Sequence, residues 1–254
     1  MRSDLRSDTN RTNGLLKSET PALQLRTRQA VNIALFGGTF DPIHSGHLQA
    51  ARVAARKYHL SEILFVPTGS PPHKVRDGLT AFPHRFAMVA LACGKDRRFV
   101  PSLLESPTPD GRPRYSIDTA RVVRRQLGRR DRLFFLVGVD AFLDLPHWKE
   151  YCRLLELVNF IVVSRPGFDT GRIGAVVPPD LLNAGDSRGL TDTLRLRHTT
   201  VQVLHGVDVP VASRDIREAI RAMHRVTGLV PPLVEQYIVK EGLYRSRRRG
   251  IRQG

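Results

Sequence analysis

Ordered patterning begins abruptly at Val31-Asn32-Ile33-Ala34-Leu35-Phe36, a β-branched and apolar run of the kind that makes a strand buried on both faces. Gly37 and Gly38 end it. From Ser45 to Tyr58 the spacing turns helical, with Leu48, Ala51, Val53, Ala54 and Ala55 on the apolar side. The alternation then repeats. Ile63 to Val66 predicts a second strand, followed by a Gly/Pro loop through Gly78 and a helix from about Pro83 to Ala92. Phe99 to Leu104 is a weaker strand, and Ser116 to Leu127 a helix for which Ser116 is the expected N-cap. Arg132 to Val137 and Leu157 to Val163 are strands, with a helical stretch from Glu150 to Leu155 between them. Residues 167 to 198, rich in Gly, Asp and Arg, give no clear element. Thr199 to Leu204 is the last strand, and Ser213 to His224 and Pro232 to Lys240 are helices.

Continuous apolar strands separated by helices imply an α/β fold, a Rossmann-like open parallel sheet with helices on both faces. The domain plan is a disordered extension over 1–29, one α/β domain over 30–245 and a basic tail over 246–254. No stretch approaches the roughly 20 apolar residues that a bilayer span needs, and Met1 to Gln29 lacks a secretory-signal pattern. Cys93 and Cys152 read as buried free thiols, so the expected compartment is the cytoplasm, with no membrane partner.

Charge adds one feature. The formal net charge is +16, a field that attracts phosphorylated small molecules, nucleic acid or acidic lipid. Arg121, Arg124, Arg125, Arg129 and Arg130 form either a solvated helix face or a nucleic-acid groove. No aromatic residues are interleaved with them, as a stacking platform for single strands requires. Nucleic acid therefore stays a secondary alternative, and charge alone decides little. No Cys/His cluster with metal-ligand spacing occurs, so no metal ligands are assigned, and the assembly state, a homo-oligomer included, stays open.

The informative segment is Gly37-Gly38-Thr39-Phe40-Asp41-Pro42-Ile43-His44-Ser45-Gly46-His47-Leu48, which leaves the first strand and enters the first helix. Ligands of open parallel sheets bind outside the carboxyl ends of strands, at such a turn. Glycines let the backbone approach a phosphate, and a helix start adds amides and partial positive charge. His44 and His47 would project together toward that anion. The segment is neither a G-x-G-x-x-G fingerprint nor a G-x-x-x-x-G-K-[ST] phosphate loop.

These residues resemble the signature of the H-x-G-H nucleotidyltransferase superfamily and, within it, the bacterial nicotinate-nucleotide adenylyltransferases. Further segments are similar in order: Pro71-Pro72-His73-Lys74, Arg114-Tyr115-Ser116-Ile117-Asp118-Thr119, Gly138-Val139-Asp140 with Pro146-His147-Trp148, Ser164-Arg165-Pro166-Gly167 and Glu241-Gly242-Leu243-Tyr244. The resemblance implies transfer of AMP from ATP to nicotinate mononucleotide in NAD biosynthesis, with nicotinamide mononucleotide or another small phosphate acceptor as the alternative, and with Mg²⁺ held mainly by the substrate phosphates. It implies ATP contacts from Gly37, Gly38, Thr39, Phe40, His44, His47, Gly138, Asp140, Ser213 and Arg217, with His44, His47 and Arg217 serving catalysis.

For the acceptor it implies Lys74, Tyr115, Ser116 and Trp148, with the indole stacked on the pyridine ring and the Tyr115 and Ser116 amides on the carboxylate. From composition alone, a lone tryptophan is more often core than platform, and Asp140 reads equally as a helix N-cap or a ribose acceptor. Val211-Ala212-Ser213-Arg214-Asp215-Ile216-Arg217 departs from the family's second motif, I-S-S-T-x-I-R: Ala212 replaces a serine and Arg214 a threonine. Ser213 is there expected to cap a helix and Arg217, one turn on, to reach a triphosphate.

Overall fold

The computed structural model describes residues 29–69, 79–164, 168–169, 171–183, 192–207 and 210–245. The expected extension, apart from residue 29, and the basic tail lie outside the described residues. Seven strands form one sheet: β1 (Asn32–Gly38), β2 (Glu62–Pro67), β3 (Phe99–Pro101), β4 (Arg132–Gly138), β5 (Asn159–Val163), β6 (Thr193–Arg195) and β7 (Thr200–Leu204), in the order β3-β2-β1-β4-β5-β7-β6. All neighbours run parallel except β6, which lies antiparallel to β7 at the edge.

Alternation along each strand sends side chains to opposite faces, and helices cover both. Ala34, Phe36, Leu136, Ile161 and Leu204 pack under α1 (Ser45–Lys57), α2 (Phe82–Cys93), α7 (Ser213–Arg221) and α8 (Pro232–Lys240). Leu35, Phe135, Val137, Phe160 and Val162 pack under α3 (Ser116–Gln126), α4 (Val139–Leu143), α5 (Tyr151–Leu157) and α6 (Gly171–Val176). The fold is the doubly covered α/β sheet that the apolar runs imply.

The chain builds outward from β1 through β2 to β3, then crosses back to place β4 on the other side of β1. That reversal opens a crevice at the carboxyl ends of β1 and β4, where ligands of such sheets bind. The pair runs in register from Asn32↔Arg132 to Phe36↔Leu136, so Gly37-Gly38 and Gly138 leave the sheet at the same rim.

Several local expectations are corrected. Residues 167–198 do contain structure: α6, a 3₁₀ turn at Pro179–Leu181, and β6. These pieces are three to six residues long and are fixed by burying Ile173, Val177, Leu181, Leu194 and Leu196 against the second core, a tertiary cause that composition does not carry. Tyr115, in extended backbone, caps α3, and Ser116 is its first helical residue. β3 ends at Pro101 instead of running to Leu104. Cys93 is buried, but Cys152 is only half-buried.

Candidate active site

The β1–α1 turn is built from the inside. Phe40 adopts φ 49° and turns its ring into the core, 5.6 Å from Phe36 and 5.9 Å from Phe65. A Cβ on Gly38 would lie 3.0 Å from that ring, so the residue beneath it must be small. Phe40 was expected at the ATP, but its side chain is buried and only its backbone faces the turn. The structure does bring the two imidazoles together: their ring centroids lie 3.7 Å apart. His47 is boxed by Phe40 at 5.0 Å and Phe36 at 5.9 Å.

This box fixes a protonation state. The His44 amide donates to His47 Nδ1 at 3.3 Å, so the neutral His47 ring carries its proton on Nε2. Burial lowers the His44 pKa to about 4, against a smaller opposing pull from Asp215. Burial and the adjoining His44 hold His47 well below the usual histidine range. Both rings are neutral donors near pH 7. His44 Nδ1 is buried without a protein partner, an orphaned polar atom in an otherwise engaged turn.

The helix start is less open than the sequence suggests. The Ser45 amide donates to the Leu229 carbonyl at 2.8 Å, and the His44 amide is held by His47. An anion arriving here therefore meets imidazoles and glycine backbone before helix amides. The second phosphate element also differs from expectation. Ala212 caps α7, and Ser213, its first helical residue, donates its hydroxyl to the Pro42 carbonyl at 2.9 Å. Arg217 donates to the Asp41 carbonyl at 2.6 Å. Both brace the turn, and Arg217 keeps further donors on its fork. Arg214 pairs with Glu218 at 2.9 Å on the exposed side of α7, so its charge does not replace the missing hydroxyls of the motif.

The other half of the crevice lies on the second core's side. Gly138 is the N-cap of α4 and is exposed, and a Cβ there would meet nothing within 4 Å. Asp140 stands exposed in the first turn of α4, so it is not the N-cap. A Cβ on Gly37 would lie 3.3 Å from the Phe135 ring, and Phe135 in turn meets the half-buried Trp148 edge-on at 5.9 Å. The indole is thus packed against the second core and partly exposed. Tyr115 and Ser116 begin α3 nearby, where the Lys149 ammonium sits 4.5 Å from the Tyr115 ring centroid and 3.2 Å from Asp118. Lys74, expected at the acceptor, lies outside the described residues, as do His73, Arg165, Pro166 and Gly167.

Four residues escaped the sequence reading. Asp41 is buried, accepting from the Tyr244 hydroxyl at 2.6 Å and the Thr80 amide at 3.3 Å. Arg85, buried in α2, donates to the carbonyls of Thr39, Thr80 and Gly69 at 2.8, 2.9 and 3.2 Å. Glu105 is buried against Thr119 of α3 at 3.1 Å, and burial pushes its carboxyl up to about 7. Asp41 and Tyr244 stood inside recognised segments, but nothing local marked them as partners 203 residues apart. No local signal marked Arg85 or Glu105.

Among the described residues, no group of three or more His, Cys, Asp and Glu is placed to hold a metal ion. No helix among them is long and apolar enough to cross a membrane. Part of the basic face is tied within the fold: Arg121 to Glu150 at 2.6 Å, and Arg124 to the carbonyls of Gly128 and Asp131.

A sheet reversed at β1/β4, with a glycine turn and paired neutral imidazoles at the reversal, defines a nucleotide-binding α/β protein of the nucleotidyltransferase type. Residues 35–219 match the model of the family described as cytidylyltransferase-like, and the chain belongs to that family. Among curated relatives, a protein of Solibacter usitatus is 39% identical over 216 residues, covering 84% of this chain and 100% of its own length. One from Desulfotalea psychrophila is 36% identical over 214 residues, covering 84% and 99%. Both carry the name "Probable nicotinate-nucleotide adenylyltransferase". Among solved structures, the nicotinic acid mononucleotide adenylyltransferase of Plasmodium falciparum complexed with NaAD superposes with a TM-score of 0.63 at 18% identity, covering 84% of this chain and 97% of that one. That likeness concerns the fold.

Proposed function

We propose that this chain is an adenylyltransferase that transfers AMP from ATP to nicotinate mononucleotide, giving nicotinate adenine dinucleotide and pyrophosphate on the route to NAD. The observation that carries the reading is the pair of neutral imidazoles, 3.7 Å apart, at the crevice between β1 and β4. Full-length relatives sharing the name of that activity point the same way.

The reaction joins an oxygen of the acceptor phosphate to the α-phosphorus of ATP and breaks the bond from that phosphorus to the bridging oxygen of the leaving pyrophosphate. The protein's part is positioning and charge stabilisation. The Nε2–H of His47, fixed by the hydrogen bond at Nδ1, donates to a phosphate oxygen as charge shifts toward the leaving group. His44 supplies the second donor, and Gly37, Gly38 and Thr39 offer backbone without intervening side chains. Arg217, while bracing Asp41, extends its remaining N–H groups toward the same anion.

Two neutral rings do not cancel the charge of a triphosphate, and the site offers no cage of carboxylates. This donor set suits a Mg²⁺ held on the phosphate oxygens themselves, where it would supply charge neutralisation. On the acceptor side, Trp148 stacks on the pyridine ring and the α3 start receives the carboxylate, with the Lys149 ammonium adding positive charge beside it. Asp140 accepts from a ribose hydroxyl. The cytoplasm is the proposed location.

The test is pyrophosphate release with ATP against nicotinate and nicotinamide mononucleotides side by side. Release with a strong preference for the acid is expected. A preference for the amide overturns the acceptor assignment, and no release with either overturns the reaction class.

A further inference from the structure

The turn that carries the histidines is also held through its buried Asp41 and Pro42. Asp41 lies three residues before His44, and its carboxylate is buried. One oxygen accepts from the Tyr244 hydroxyl at 2.6 Å, and the other from the Thr80 amide at 3.3 Å. The Asp41 carbonyl accepts from Arg217 at 2.6 Å, and the next carbonyl, of Pro42, from Ser213 at 2.9 Å. Tyr244 itself stands beyond α8, at φ 65°, so the last described turn of the chain reaches back to the first loop. Burial, and next the Asp41 charge, raise the Tyr244 hydroxyl far above the usual phenol range, which keeps it a donor to the carboxylate.

We propose that Tyr244 is a positioning residue for nucleotidyl transfer, acting through the Asp41 carboxylate to hold the His44–His47 turn in its donating geometry. The inference rests on reading that turn as the phosphate cradle. The physical case is one of leverage. A short hydrogen bond to a buried carboxylate is among the stronger ones, and Asp41 is joined to His44 by only Pro42 and Ile43, both buried. Removing the hydroxyl leaves a buried oxygen short of a donor, and the chain relaxes to find one. A displacement of the imidazoles by a fraction of an ångström is enough to weaken donors that act only in the transition state. Other tyrosines do not share this connection: Tyr237 of α8 hydrogen-bonds His84 at 2.9 Å, away from Asp41.

The experiment compares wild type, Tyr244→Phe and Tyr237→Phe, each with and without His47→Ala, by steady-state kinetics with ATP and nicotinate mononucleotide. Thermal melts accompany each variant, and Asp41→Asn serves as a second, isosteric variant should Tyr244→Phe fold poorly. The expected result is a fall of about tenfold in kcat for Tyr244→Phe, with both KM values within about twofold. That fall should shrink in the His47→Ala background, because one of the two positioned donors is gone. Tyr237→Phe should leave kcat unchanged. A Tyr244→Phe kcat within twofold of wild type overturns the proposal, and so does a loss that multiplies undiminished with that of His47→Ala. If His47→Ala itself leaves turnover unaltered, it is the phosphate-cradle reading that fails, and the two failures are thereby told apart.

Discussion

The two sides of the crevice are built in opposite ways. On the β1–α1 side, His44 and Asp41 are buried, His47 is boxed by aromatic rings, and backbone carbonyls are braced from α2 and α7. On the α3–α4 side, Gly138 and Asp140 are exposed, Trp148 is half-buried, and the charges meet in exposed pairs such as Lys149–Asp118 and Arg121–Glu150. The first side has little freedom to reorganise, as electrostatic stabilisation of a transition state demands. The second offers exposed area and screened charge, which adjust at low cost. On the proposed function, the rigid side would serve chemistry common to phosphate transfer and the softer side would recognise one acceptor.

The sharpest way to break this comparison is His47→Ala, which should lower kcat roughly 10²-fold or more, since a preorganised donor is lost. Turnover near that of wild type would remove the distinction. Next comes Trp148→Ala, for which the KM for nicotinate mononucleotide should rise about tenfold, as loss of one aromatic stack does. The KM for ATP should stay within about twofold. Equal changes in both would show that the indole serves packing against Phe135 alone.

The sides also titrate in opposite senses. His44 is lowered from 6.5 to about 4, so the unfolded chain binds its proton first and stability is lost as pH falls from 6.5 toward 4. Glu105, raised from 4.5 to about 7, ionises earlier in the unfolded chain, so its contribution is present below 4.5 and lost as pH rises through 7. Melting curves at pH 7 and 4.5 should show His44→Gln losing less on acidification than wild type, by roughly 5 °C. Glu105→Gln should steepen the rise in stability between pH 4.5 and 7, because it removes the opposing loss. The smallest effect belongs to the rim: Arg121→Ala, removing an exposed pair with Glu150, should leave the melting temperature nearly unchanged.

What was legible in the sequence was local. The apolar run into Gly37-Gly38 and the spacing of His44 and His47 specify strand, turn and helix from neighbouring residues alone. The short elements between 171 and 195 were not legible, because burial against a distant core decides them. The inward direction of the Phe40 ring was not legible for a related reason: its backbone conformation, not its type, sets it. The same applies to Ser213 and Arg217, whose residue types suit phosphate but whose observed partners are carbonyls of the first loop. Arg85, with three carbonyl partners, is a buried cation that only the assembled fold makes intelligible.

Selective ¹⁵N labelling of histidine, followed by NMR at pH 7 before and after adding ATP with Mg²⁺, addresses the two imidazoles directly. A neutral His47 with its proton on Nε2, and ring signals of His44 and His47 that both move as nucleotide saturates, is the result this account predicts. Rings that are cationic at that pH, or signals that stay in place at saturating nucleotide, would contradict it.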